Sequence, residues 1–238
     1  MLQQYSIEDV MFIDIETVPQ HPSFHEMDEE FQLLWDKKST FFRTEDQSAA
    51  DVYQRAGIYA EFGKIVCISA GVVIDQKGEL FFRAKSFSDH DERKLLQEFG
   101  EMLNAWCSNP KHQICGHNAK EFDFPYIARR MLINGLSLPS VLNIAGKKPW
   151  EVKFLDTLDL WKFGDYKNYT SLALLTKVFN IPTPKDDIDG SQVAQVYYEE
   201  KDLERIAIYC EKDIMATAQL FLRFKGEEII KEENLIRV

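Results

Sequence analysis

The chain has 238 residues, 45% of them hydrophobic, and a formal net charge of −11. That length predicts one globular domain over residues 1–238, with room for an insertion and enough chain to bury a sizeable core. The acidity argues against a protein that grips duplex nucleic acid broadly, because such proteins are basic, but it is compatible with an enzyme that holds a few nucleotides through metal ions.

A first strand is predicted over about residues 9 to 16. Side chains alternate along a strand, so Phe12, Asp14 and Glu16 share one face. Two carboxylates therefore sit together at the end of an apolar run, where repulsion and desolvation both disfavour them. The segment from about 20 to 62 is too long for a hairpin connection. "HEMDEEFQLLW" and "DQSAADVYQRAGIYAEF" both show helix-like spacing, so this segment is predicted as a mostly helical insertion. "KIVCISAGVVI" (64–74) and "ELFFRAKSF" (79–87) flank the turn "DQKG" and predict a hairpin. An amphipathic helix follows, with a cap signal at Ser88. "HQICGHN" (112–118) reads as a short strand and "DFPYIARRMLING" (123–135) as a helix with Pro in its first turn. A further strand is expected at 152 to 156, then helices near 170–179, 190–199 and 201–223, with the final "KEENLIRV" fraying. This order predicts an α/β fold with a mixed sheet.

No apolar run approaches the roughly 18 residues of a membrane span. The N-terminus shows no basic segment leading into an apolar stretch. A soluble, cytoplasmic protein without membrane partners is expected. Cys67, Cys107, Cys115 and Cys210 form no C-x-x-C pair and read as reduced thiols, not a zinc site.

Four stretches carry acids in apolar surroundings. Asp14 and Glu16 end the first strand. Asn118 and Asp123 lie in "GHNAKEFDFP", where Asp123 also fits a helix cap and Asn118 a turn. Tyr209 and Asp213 are four apart on one helix face, at the margin of an apolar stripe, where an exposed Asp beside a packed Tyr is the competing reading. Asp156 reads first as a strand-end or cap residue. Converging carboxylates repel unless a cation neutralises them, and their hard oxygens suit magnesium or manganese.

"DIET", "GHNAKEFDFPYIARR" and "YCEKD", in that order, resemble the three exonuclease motifs of the DEDD superfamily, in the subgroup with Tyr in the third motif. "KFLDTLDLWKFGD" and "IPTPKDDIDGSQV" add to the likeness, which is nearest to stand-alone bacterial proteins related to the proofreading domain of family B DNA polymerases. The resemblance implies a ribonuclease H-like fold, with the mixed sheet flanked by helices. It implies a metal-dependent 3′–5′ exonuclease that releases nucleoside 5′-monophosphates from single-stranded DNA by a two-metal mechanism. Asp14, Glu16, Asp123 and Asp213 would then hold two divalent cations, Mg2+ or Mn2+, and Tyr209 would orient the attacking water. Thr17, Asn118, Phe122 and Lys185 are the candidate substrate contacts, with Arg129, Arg130, Lys147 and Lys148 as further candidates for the nucleic-acid backbone. The partners implied are single-stranded 3′ ends, DNA ahead of RNA. A polymerase domain does not fit in this length, so the chain is expected to act alone in DNA repair or with a repair or replication partner in trans. The alternatives are an exoribonuclease, or a non-catalytic nucleic-acid-binding domain; retention of all four acids disfavours the latter.

Overall fold

The computed structural model describes residues 2–152, 154–165, 169–182 and 188–238. In chain order the main elements are β1 (Val10–Pro19), α1 (Glu29–Ser39), β2 (Gly63–Gln76), β3 (Glu79–Ser88), α2 (Glu92–Cys107), β4 (Gln113–Gly116), α3 (Asp123–Ile133), β5 (Leu155–Asp156), α4 (Thr157–Lys162), α5 (Leu172–Val178), α6 (Val193–Gln195), α7 (Leu203–Lys225) and β6 (Leu235–Arg237). A π-helical turn, Val196–Glu200, follows α6. The six strands form one sheet in the order β5-β4-β1-β2-β3-β6. β1 runs parallel to β4 and antiparallel to β2, so the sheet is mixed as the hairpin predicted. The hairpin closes through Lys77 and Gly78, both at positive φ, and Asp75 accepts the Gly78 amide. Two such residues match the right-handed twist of the flanking strands.

Alternation along β1 assigns its two faces. Met11, Ile13 and Ile15 enter the core beneath α2 and α3. Val10 and Phe12 enter the core beneath α7. Asp14 and Glu16 follow Phe12 on the α7 side. Between Glu16 and Thr17 the β1–β2 register slips, with β2 carrying the additional residue. Val66 and Cys67 consequently both join the cluster under the start of α7. Such bulges recur near functional sites because they re-aim side chains.

The insertion is less helical than its spacing predicts. Only α1 is an α-helix, and Tyr53–Ile58 forms a 3-10 turn. The apolar residues of "DQSAADVYQRAGIYAEF" gather around Trp35, which is fully buried and donates its Nε1–H to Ala49 O at 2.9 Å. Tertiary packing around one indole overrides local helical periodicity here. The helix after β3 is capped by Asp91, not Ser88: the Asp91 carboxylate accepts the Lys94 amide at 3.2 Å. The C-terminal segment does not fray. β6 pairs in parallel with β3, and Arg237 donates to Glu211 of α7 at 2.6 Å.

Arg130 is not available to a phosphate. It is 3% exposed and gives its Nε–H to Glu92 at 2.8 Å and an Nη1–H to Ala60 O at 2.8 Å. Glu92 in turn accepts the Ile65 amide at 2.7 Å. One buried ion pair thereby joins the insertion, β2, α2 and α3. Removing one partner of such a pair leaves an uncompensated buried charge and costs about 3–5 kcal/mol. Arg130→Met should therefore lower the melting temperature by about 6–20 °C, and the double variant Glu92→Met/Arg130→Met should recover part of the loss. Thermal unfolding of the three proteins checks this.

Candidate active site

The sheet delivers the site at the point where β1 parts from β4. The two strands pair over Val10–Phe12 only, so the β1 backbone beyond needs other partners on that side. Asp123 supplies one: its Oδ1 accepts the Ile15 amide at 3.1 Å across 108 residues of sequence. Asp123 is the first residue of α3 and not its cap, and it is 4% exposed. Asp14 and Glu16 approach from β1, and Tyr209, Cys210 and Asp213 from the first three turns of α7.

Asp14, Glu16 and Cys210 place a potential ligand atom each within 4.8 Å of one another. The Cys210 thiol donates to Asp14 Oδ2 and to Asp14 O, both at 3.4 Å. Burial holds that thiol well above its ordinary value, so it acts as a protonated S–H donor. Cys67, opposite Glu16 in the register, hydrogen-bonds Cys210 beneath the acids. These thiols went unassigned in the sequence, yet Cys210 lies three residues before Asp213, at a spacing that shares its helix face.

The carboxylates act on each other. Burial raises Asp14 well above its usual range, and the charges of Asp123, Glu16 and Asp213 add to that rise. Glu16 is raised by burial and by Asp213. Asp123 is raised from 3.8 to about 7, mainly by burial, against the lowering effect of its backbone hydrogen bonds. Tyr209 is hydrogen-bonded to Asp213, and burial plus the neighbouring carboxylates push its phenol far up. It is a neutral hydroxyl at any working pH.

Asp156 belongs to the scaffold. It is 2% exposed and its carboxylate accepts the amides of Asn118, Lys120 and Leu158 at 2.9, 3.0 and 2.9 Å. This is the cap function its sequence position suggests, extended to the loop before α3. Asn118 sits in that loop in the left-handed region, at φ 62°. His117 accompanies it in a structural role, bridging Thr157 and Thr170 O at 2.9 and 3.0 Å. Thr17 hydrogen-bonds Tyr126, whose hydroxyl donates to Gly57 O at 2.7 Å. Phe122 packs beside Tyr126 at the edge of the core. Arg129, Lys147 and Lys148 are exposed. Lys185 lies outside the described residues.

Residues 58–233 match the family described as predicted 3′–5′ exonucleases related to the exonuclease domain of PolB. The chain belongs to this family. The exonuclease-family match begins after β1, so Asp14 and Glu16 lie outside it and are placed by the structure alone. Among solved structures, the family B DNA polymerase from the hyperthermophilic archaeon Pyrobaculum calidifontis is similar, at 15% identity and a TM-score of 0.52, over 90% of this chain. The chain spans 24% of the polymerase's length. That likeness shows the fold, a ribonuclease H-like mixed sheet flanked by helices. Among the described residues no helix is long and apolar enough to cross a membrane. All four cysteines are free thiols.

The donor set fits divalent cations: buried oxygen ligands, mutually repelling, with a protonated thiol in place of a soft thiolate. The raised values also fix the sign of a pH effect. Carboxylates whose folded values exceed their unfolded ones favour folding most below about pH 4, and that contribution is lost as pH rises through the folded values. For Asp123 the window runs from 3.8 to about 7, and Asp14 and Glu16 shift in the same direction. The chelated protein should therefore lose thermal stability across this window, and Mn2+ or Mg2+ should restore more at about pH 8 than at about pH 5. Asp14→Asn should raise the melting temperature of the chelated protein and shrink the metal-induced gain. A melting temperature indifferent to pH and metal would contradict the assignment.

Proposed function

We propose that the chain is a metal-dependent 3′–5′ exonuclease that hydrolyses the terminal phosphodiester of single-stranded DNA and releases nucleoside 5′-monophosphates. The observation that carries this reading is the convergence of Asp14, Glu16, Asp123 and Asp213, whose charges act on one another in a buried setting. Family membership and the polymerase-like fold support the same chemistry, and the relation to a DNA polymerase domain supports DNA over RNA.

Asp14, Glu16 and Asp213 would hold one divalent cation, and Asp14 with Asp123 a second. When bound, such a pair neutralises charge on the phosphate and makes water a better nucleophile. The residues of this chain do the positioning. Tyr209 hydrogen-bonds Asp213. Its neutral hydroxyl oxygen can accept from the attacking water and so aim a lone pair along the P–O3′ axis. As the water oxygen bonds to phosphorus, the P–O3′ bond breaks. The 3′-oxygen takes a proton and stays on the shortened strand, while the released nucleotide keeps its 5′-phosphate. Asn118 and the backbone around Thr17 flank the entry to the carboxylates and would contact the terminal nucleotide, with Asp156 holding the Asn118 loop in place.

End-labelled single- and double-stranded DNA and RNA, each with Mg2+, Mn2+ or chelator, test the proposal. Stepwise loss from single-stranded DNA 3′ ends, 5′-monophosphate products and abolition by chelator are expected. Faster trimming of RNA would overturn the DNA preference, and an Asp14→Ala variant as active as the parent would overturn the site. Tyr209→Phe should lower kcat by roughly tenfold to a hundredfold while leaving Mn2+ affinity nearly unchanged, because Tyr209 addresses the water and not the ion. An equal loss of metal affinity contradicts that role.

A further inference from the structure

A cavity of about 350 Å³ lies beside the carboxylates, with Asp213 in its wall. One side is the α7 stripe of Lys212, Met215, Ala216 and Gln219, spaced i, i+3, i+4, i+7 on a single helix face. The other is the C-terminal segment, through Ile229, Ile230 and Leu235. The size suits a small organic ligand, and walls that are mostly apolar with one or two placed polar groups are usual for such sites.

The placed polar group is Gln219. It is 4% exposed, and its side-chain Oε1 is buried with no hydrogen-bond partner among the described residues. A buried acceptor left unmatched is costly, so such an atom calls for a donor from a ligand. A water is a poor answer between apolar walls, since it needs two to four polar partners of its own. A flat aromatic ligand with an N–H on its edge satisfies the amide and the walls together. Lys212, Lys231 and Arg237 line the same cavity. Lys231 also pairs with Glu79 and Arg237 with Glu211, which ties the cationic groups to the sheet and to α7. Gln219 lies six residues beyond Asp213, about 9 Å along the helix axis. A ligand anchored by a phosphate near Asp213 would thus lay its ring against Gln219.

We infer that this cavity is a nucleobase subsite, and that it favours adenine, because a side-chain amide pairs with the N6/N7 edge of adenine in two hydrogen bonds. The placement of the base rests on the exonuclease reading and deepens it: the nucleotide whose phosphate meets the carboxylates has its base read by Gln219.

Calorimetric titration of dAMP and dTMP into the full chain, with Mn2+ and with chelator, tests the binding. Digestion of oligonucleotides ending in dA or dT tests its use. The expected result is a preference for dA of about fivefold or more in both assays, lost in Gln219→Met. Ile229→Trp, which fills the cavity from its other wall, should weaken both nucleotides, so the outcome does not hang on one buried substitution. Equal binding of the two nucleotides by the parent, or a preference that survives Gln219→Met in a folded protein, would overturn the subsite. Gln219-dependent dAMP binding without digestion of any nucleic acid would uphold the subsite and defeat the exonuclease reading. Digestion without a Gln219-dependent preference would do the reverse.

Discussion

Four carboxylates that repel one another are held where the central strand β1 leaves its parallel partner β4. Burial and like charge both oppose their ionisation, and nothing in the fold moves them apart. The surrounding structure is arranged to tolerate this. Apolar residues of β1 anchor the strand on both faces up to Ile15, and α7 closes over Asp14 and Glu16 with Cys210 donating to Asp14 from below. Stability lost at one functional spot is carried by the packing around it.

The scaffold acids show the contrast. Asp156 is as buried as any of the four, yet three backbone amides accept its charge at 2.9–3.0 Å. Glu92 is likewise matched by Arg130 and the Ile65 amide. Asp123 stands between these cases, with one backbone amide to its credit at Ile15 and a value still raised to about 7. A carboxylate that the protein itself neutralises is structural; a group of them left for something else to neutralise is a site.

Much of this was legible in the chain. Period-two alternation placed Asp14 and Glu16 on one face of β1, and the i, i+4 spacing placed Tyr209 with Asp213 on α7, because both are local consequences of backbone geometry. What eluded the sequence depended on distant partners. The insertion coils around Trp35 and forms one α-helix where periodicity suggested more. The C-terminal residues form β6 because β3 has a free edge and Glu211 awaits Arg237, and neither fact is local. Arg130 looked like a phosphate contact until Glu92, 38 residues away, claimed it. Cys210 and Gln219 carried no motif signal, since their importance lies in what surrounds them.

The central claim is that the carboxylate cluster exists to hold two divalent cations, and the most direct measurement counts them. Titration of the chelated chain with Mn2+, followed by electron paramagnetic resonance and by proton release, should show two ions bound per chain, with protons liberated at neutral pH as the raised carboxylates ionise. Asp14→Asn, which removes the residue assigned to both ions, should abolish at least one of them together with most of the proton release. Absence of saturable Mn2+ binding in the parent, or an unchanged count in Asp14→Asn, would contradict the account.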